Sequence, residues 1–181
     1  MAAMNTEQQT LKTNTNFSKE IGFYIAGMEE VREQLRKAAE DLSNEEIAAK
    51  FTPNTHSIGQ LILHNGEAEW WWLRCVVAEK ELDEQEASRK AFWDVLLDQD
   101  FAAKNYSAKF CIEEVDRVRK ECLEALKGFT DDDLDKYFGW DKDDGTRIEK
   151  SLRWILHHLI DHEAQHKGQI LMIKRLLREA K

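Results

Sequence analysis

The segment that decides the fold contains LIDHEAQHKGQ at residues 159–169, in which His162 and His166 lie four positions apart. Apolar residues recur at steps of three and four on both sides, which predicts a long amphipathic helix facing a core. These residues are Ile148, Leu152, Ile155, Leu159, Ile170, Ile173 and Leu177. Both histidines occupy this apolar stripe, where leucines would be expected. Because imidazoles at positions i and i+4 project side by side from a helix, the pair suits two ligands of one metal ion.

Composition predicts an all-α protein. The chain has 181 residues, enough for one sizeable core, and we expect a single four-helix-bundle domain over residues 1–181 with a polar N-terminal extension at residues 1–16. One proline and eight glycines, with abundant alanine, leucine, glutamate and lysine, favour long helices over a β fold.

Charge and hydropathy exclude several classes of function. A net charge of −9 argues against a nucleic-acid partner. No apolar run approaches transmembrane length and residues 1–16 contain no signal-peptide core, so we expect a cytoplasmic protein without a membrane partner. Cys75, Cys111 and Cys122 are odd in number and far apart, which fits neither a disulfide framework nor a CxxC zinc site. The last two are expected to be small buried hydrophobic residues.

A first helix and a second helix are predicted before residue 79. The first apolar stripe is Phe17, Ile21, Tyr24, Met28, Val31, Leu35, Ala38 and Leu42. Ser18 or Asn16 is expected to cap this helix, and residues 42–44 to end it. The second helix is expected to open at a capping box formed by Ser57 and Gln60. Its stripe is Leu61, His64, Ala68, Trp71, Cys75 and Ala78.

A third helix is predicted from about Ser107 to Lys127, ending at Gly128. Its apolar stripe is Ala108, Cys111, Val115, Val118, Cys122 and Ala125. Four periodic segments of this length predict an antiparallel bundle. The long connection at residues 79–106 is expected to contain a short packed helix, because a structureless loop of that length is unusual. Residues 128–147 end in Asp143-Asp144-Gly145, which predicts a tight turn or a small hairpin.

Three histidines replace apolar residues on helix stripes: His64, His162 and His166. Burying three unliganded rings in one core would cost several kcal/mol. One divalent cation would satisfy all three, and zinc and nickel both suit imidazole. Three nitrogen ligands with a further open position indicate a catalytic or substrate-binding site rather than a closed structural one. His158 is a weaker candidate beside the stripe, while His157 and His56 are expected to be solvated or capping.

The string His162-Glu163-Ala164-Gln165-His166 also satisfies the HExxH pattern of zinc proteases, in which the glutamate is the general base. The longer protease signature fails, because Gly168 comes one place early and Met172 stands where a third histidine belongs. A protease is therefore disfavoured. Glu163 stays a candidate catalytic base, and the alternative is a surface carboxylate or one that supports a ligand.

The sequence resembles the DinB-like, or YfiT-like, superfamily, and the resemblance implies a metal-dependent enzyme. Two phrases carry the resemblance, which spans about Phe17 to Leu177: Ser57-Ile58-Gly59-Gln60 followed by His64, and LRWILHH at residues 152–158 leading into HEAQHKGQI at residues 162–170. It implies a four-helix bundle in an up-down-down-up arrangement. It also implies a homodimer, and a divalent metal held by one histidine of the second helix and two of the fourth, at His64, His162 and His166.

Three functions follow from the residues and the resemblance. The first is a metal-dependent transferase that joins a low-molecular-weight thiol, as cosubstrate, to a small electrophile. The second is a metal-dependent hydrolase that uses a metal-bound hydroxide, with Glu163 as base. The third is a non-catalytic metal-binding or ligand-binding module of a stress response. Tryptophans at positions 70–72 follow His64, and at least two of them are expected to pack in the core or a dimer interface.

Overall fold

The computed structural model describes residues 9–179, and four long helices account for nearly half of them. They are α1 (Lys19–Ala39), α3 (Ile58–Trp70), α5 (Ala108–Ala125) and α6 (Leu152–Glu179). Two short helices, α2 (Asn44–Ala48) and α4 (Glu84–Ala87), lie in the connections, and β1 (Tyr137–Asp141) pairs with β2 (Arg147–Ser151). The first eight residues of the expected N-terminal extension lie outside the described part.

Contacts between α6 and its neighbours fix two of the helix directions. Lys174 near the end of α6 donates to the carbonyl oxygen of Ala38 near the end of α1, at 2.9 Å, so these two helices run parallel. By contrast, Trp72 beyond the end of α3 meets Trp154 at the start of α6, with ring centroids 5.6 Å apart. The helices α3 and α6 are therefore antiparallel.

The remaining helix pairs complete the arrangement. Gly66 of α3 lies against Val115 of α5, and Glu69, one turn later, pairs with Arg119 one turn later, so α3 and α5 run parallel. The order is up for α1, down for α3, down for α5 and up for α6. The up-down-down-up bundle is confirmed, and the long connection between α3 and α5 exists because parallel neighbours cannot be joined by a short turn.

The N-terminal caps show which helix starts are determined by the local sequence. Ser57 and Gln60 form the predicted capping box of α3, and Ser107 caps α5 by accepting from the amide of Phe110. Ser18 precedes α1 as predicted, yet its side chain accepts no capping hydrogen bond. Asp131 accepts instead, from the Ser18 hydroxyl at 2.6 Å and from two amides of the first turn at 3.0 Å each. The start of α1 is thus capped from a distant loop.

Two predicted boundaries were wrong. The helix α1 ends at Ala39, before the expected residues 42–44, because Ser43 caps the separate helix α2 with its own capping box. Ile148 belongs to β2 rather than to α6, which begins at Leu152. Ile148 is half-buried in this strand, opposite Trp140 of β1, and its agreement with the helical period was a coincidence of spacing. That hairpin is the one predicted from the Asp-Gly turn, where Gly145 has a φ of 79°.

The predicted second helix, which corresponds to α3, buries residues beyond the single apolar stripe expected from the sequence. After Trp70 it continues as a π-helical segment, Trp71–Val77, which shifts the side chains that follow around the axis. Leu73, Val76 and Val77 are consequently buried, whereas the predicted stripe positions Trp71, Cys75 and Ala78 are only half-buried. Two of the three neighbouring tryptophans, Trp70 and Trp72, pack in the core as expected.

The connection at residues 79–106 is packed, as predicted. Besides α4 it contains two 3-10 turns, Val95–Leu97 and Phe101–Lys104, and it buries Phe92, Val95 and Phe101. Cys111 and Cys122 are free and fully buried, and burial raises the pKa of Cys111 to about 12, which makes it an unreactive thiol. No helix within residues 9–179 is long and apolar enough to span a membrane.

Candidate metal centre

The antiparallel packing of α3 and α6 brings His64, His162 and His166 together. One nitrogen of each ring lies within 4.8 Å of the other two, and these three imidazoles are here called the histidine cluster. The ring centroid of His64 lies 5.0 Å from that of His162 and 5.2 Å from that of His166. All three residues are half-buried, so solvent reaches the cluster.

Glu67 fixes the tautomer of His64. Its Oε2 lies 2.9 Å from Nδ1 of His64, and a carboxylate in such a contact accepts a hydrogen bond. Nδ1 therefore carries the proton, and Nε2 keeps a free lone pair. An imidazole that donates one N–H to a carboxylate while its other nitrogen faces a metal is a common arrangement in metalloproteins.

The other two rings place their Nε2 atoms 3.2 Å apart. Two ligands at about 2.0–2.1 Å from one ion in tetrahedral geometry are separated by about 3.3 Å, so this spacing fits a shared cation. Nδ1 of His166 lies 2.9 Å from Oε1 of Gln169, which orients this ring in the same manner as Glu67 orients His64. The donor set and its supports fit a divalent ion.

The cluster favours neutral imidazoles, which is the form that binds metals. Burial and the neighbouring rings of His166 and His64 lower the pKa of His162 to about 3. The pKa of His166 is also lowered, mainly by burial. Metal binding near neutral pH therefore displaces no proton from His162.

The remaining histidines lie at different distances from the cluster. The ring of His158 lies 5.7 Å from that of His162 and is stacked on Trp154 at 4.7 Å, so it adjoins the cluster without joining it. His157 is exposed, as predicted, and so is His56. A positive charge on His56 would still lower the pKa of His166, so this side chain faces the edge of the cluster.

Four packed tryptophans lie near the cluster, with His158 between them and it. Trp71, Trp72, Trp140 and Trp154, here called the tryptophan wall, pack edge to face or at a tilt with centroids 4.8–5.6 Å apart. The hairpin supplies Trp140, and His158 connects the wall to the cluster through its contact with Trp72 at 5.6 Å. A group of packed aromatic rings therefore lies one side chain away from the candidate ligands.

Glu163 does not join the cluster that its neighbours form. It is 3% exposed, and its Oε1 accepts from Nε of Arg32 at 2.5 Å while its Oε2 accepts from Arg119 at 3.1 Å. Its assignment as a catalytic base stays a prediction. Both oxygens are committed to guanidinium groups, which supports a structural role, and the surface alternative is wrong because the residue is buried.

Arg32, Glu69, Arg119 and Glu163 form what we call the four-helix ion network, with one residue from each long helix. Arg32 also donates to Glu69 at 3.1 Å, and Arg119 pairs with the same carboxylate. The four side chains are 0–5% exposed, and two positive charges compensate two negative ones. A network of this kind fixes the rotation of every helix about its axis, including α6 with its two histidines.

Sequence reasoning missed Glu67 and Gln169. Each lies three residues after the histidine that it contacts, a spacing that brings side chains together on a helix. The patterns His-x-x-Glu and His-x-x-Gln were the available signals. The four-helix ion network left no comparable signal, because its members come from four separate segments.

Comparison with known proteins places this geometry in a family. The model of the DinB superfamily matches residues 28–170. A DinB-like protein from Bacillus cereus ATCC 10987 has a similar structure, with 20% identity, a TM-score of 0.57 and coverage of 88% of this chain and 92% of that one. YfiT from Bacillus subtilis, described as a probable metal-dependent hydrolase with an unusual four-helix bundle topology, has 18% identity, a TM-score of 0.60 and coverage of 92% and 93%. No curated protein matches the chain.

Proposed function

The chain belongs to the DinB superfamily, and on that premise we propose that it is a metal-dependent enzyme that transfers a low-molecular-weight thiol to a small electrophile. The histidine cluster carries the proposal, because its three ligand atoms lie within 4.8 Å of one another and all belong to imidazoles. Three nitrogen ligands suit zinc or nickel and leave a further position for a substrate atom. The half-buried rings keep that position accessible.

A divalent ion at this cluster would supply Lewis acidity, which lowers the pKa of a thiol or a water that reaches it. The protein's part is to hold the ligands in one orientation, with Glu67 supporting His64 and Gln169 supporting His166. In the transfer, the thiol loses its proton to solvent, its sulfur forms a bond to the electrophilic carbon, and the leaving group departs with the electrons of its bond.

The surroundings of the cluster suit this reaction. Transfer from an ionised thiol needs no dedicated carboxylate base, and Glu163 is engaged with Arg32 and Arg119. The tryptophan wall lies beyond His158 from the cluster, and its partly exposed member Trp154 would contact a planar or apolar electrophile.

Hydrolysis is the second candidate. YfiT, to which the fold is similar, is described as a probable metal-dependent hydrolase. The same cluster would then act on water instead of a thiol. Because Glu163 is held by two arginines, a hydrolase of this geometry would take its base from solvent or from the substrate.

The test offers the zinc-loaded or nickel-loaded protein monochlorobimane or chlorodinitrobenzene together with bacillithiol, mycothiol, glutathione or no thiol. We expect conjugation that requires both the metal and one of the thiols, and that His64→Ala abolishes. His157→Ala is the matched control, because this exposed histidine lies on α6 outside the cluster. Conjugation that continues in His64→Ala, or without metal, contradicts the proposal. Metal-dependent cleavage of an ester or amide with no thiol present would establish the hydrolase instead.

A further inference from the structure

The connection between α3 and α5 folds back over the face of α3 that carries His64. Gln60, His64 and Glu67 follow one another at steps of four and three, so their side chains share this face. Gln60 donates from Nε2 to the carbonyl oxygens of Val95 at 2.9 Å and Asp98 at 3.1 Å. The candidate metal ligand therefore lies between two side chains of its own helix, one of which holds the connection.

Glu67 holds it as well, and with the carboxylate that also supports His64. Its Oε2 accepts from Nδ1 of His64 at 2.9 Å, while its Oε1 accepts from the backbone amide of Asp94 at 2.6 Å. The side chain is 16% exposed, so water competes little for these hydrogen bonds. A single carboxylate thus joins the metal ligand to the connection.

The segment at residues 92–98 needs such anchors. Asp94 has a φ of 50°, a left-handed conformation that is uncommon for residues other than glycine, although aspartate tolerates it better than most. Phe92 and Val95 on either side are buried, and Phe92 packs against Trp70 with centroids 5.8 Å apart. The amide of Asp94 points to Glu67 because these contacts fix the turn.

We propose that Glu67 is a positioning residue that couples metal binding at His64 to the ordering of the 92–98 segment. This inference rests on the proposed metal centre. An ion on Nε2 of His64 would keep the proton on Nδ1 and strengthen its donation to Glu67. The carboxylate is then fixed in place, and its second oxygen holds the amide of Asp94 more firmly. By thermodynamic reciprocity, the ordered segment in turn raises the affinity for the metal.

The test uses zinc alone, the full-length chain without a histidine tag, and two readouts that do not depend on activity. Zinc affinity is measured by competition with a chelating dye, and the exchange rate of the Asp94 amide is measured by NMR with and without zinc. In the wild-type protein, zinc is expected to slow exchange at Asp94. Glu67→Gln offers only one acceptor oxygen, and is expected to weaken zinc binding by about 10–100-fold and to remove the effect of zinc on Asp94.

Two further measurements separate positioning from general damage. Nitrogen chemical shifts of the His64 ring should report the Nδ1–H tautomer in the wild-type protein and a mixture in Glu67→Gln. Glu86→Gln is the matched control, because it removes a 2.8 Å ion pair between the connection and Arg74 without touching Glu67, and its zinc affinity should stay that of the wild type.

The outcomes distinguish the inference from the function beneath it. Wild-type protein that fails to bind zinc overturns the metal centre and this inference with it. Zinc binding that is equally tight in Glu67→Gln overturns only the positioning role. Zinc that binds normally to the wild type and leaves exchange at Asp94 unchanged overturns the coupling to the 92–98 segment.

Discussion

The four-helix ion network and the histidine cluster are both polar groups inside this bundle. They differ in how many of their polar atoms find partners within the protein. In the four-helix ion network, every carboxylate faces guanidinium groups, and the charges compensate one another. In the histidine cluster, Nε2 of His162 lies 3.2 Å from Nε2 of His166, and one nitrogen of each of the three rings lies within 4.8 Å of the other two. The two groups meet at consecutive residues of α6, His162 and Glu163.

The difference teaches how the same helix provides both structure and chemistry. A buried polar group with all its partners inside the protein stabilises one arrangement of helices, since any loss of a partner is penalised. A group whose lone pairs converge without an internal donor retains capacity for a ligand. We therefore interpret the four-helix ion network as the structural support of the candidate metal centre, and the histidine cluster as its ligand-binding part.

Breaking the network should have the largest effect. Arg32 is fully buried and contacts both Glu69 and Glu163, so Arg32→Met leaves two buried carboxylates short of a partner. We expect a loss of about 3–5 kcal/mol in the free energy of unfolding, measured with urea. Arg117→Met removes surface ion pairs of α5 and should lose less than about 1 kcal/mol. Equal losses in the two variants would mean that the network contributes no more than surface pairs do.

Consecutive substitutions on α6 test the division of labour directly. His162→Gln should weaken zinc binding at least about 100-fold, equivalent to about 2.8 kcal/mol, and leave the stability of the metal-free protein nearly unchanged. Glu163→Gln should destabilise the metal-free protein by about 2–3 kcal/mol, because a buried charge loses its counterion, and still bind one zinc ion. Zinc titration and urea unfolding in EDTA measure the two effects. If both variants lose zinc and neither loses stability, the two groups are one site.

Much of this arrangement could be predicted from the sequence, because helix periods, caps and ligand spacing are local. The capping box of Ser57 and Gln60 and the histidines at i and i+4 needed only neighbouring residues. Placing His64 near the other two also needed the stripes and the family resemblance. These features are the ones that the structure reproduces most closely.

The rest could not be predicted because its partners are far apart in the chain. Asp131 caps α1 from more than a hundred residues away, and Arg32 lies in a stretch of mostly charged residues at positions 29–33 yet is fully buried. Arg32 is buried because its partners Glu69 and Glu163 lie on two other helices, which the local sequence does not show. For the same reason the pattern around Glu163 indicated a base, since the sequence does not show which arginines face it.

Acidification should distinguish the histidine cluster from the four-helix ion network, with the smallest expected change in the free energy of unfolding. The pKa of His162 is about 3 in the folded protein and about 6.5 in an unfolded chain. Above pH 6.5 neither state binds this proton, so the full stability is present. Between pH 6.5 and 3 the unfolded state binds a proton that the folded state does not bind. The free energy of unfolding therefore decreases as the pH is lowered. We expect the metal-free protein to lose about 1 kcal/mol per pH unit from this ring, and the lowered pKa of His166 adds in the same direction.

Urea unfolding in EDTA between pH 7 and pH 5 measures the slope, which should be shallower in His162→Gln. The guanidinium groups of the network keep their charge over this range and do not contribute to the difference between the two proteins. An unchanged slope in His162→Gln would show that this ring is not held neutral by its surroundings, and the contrast between the two groups would then rest on geometry alone.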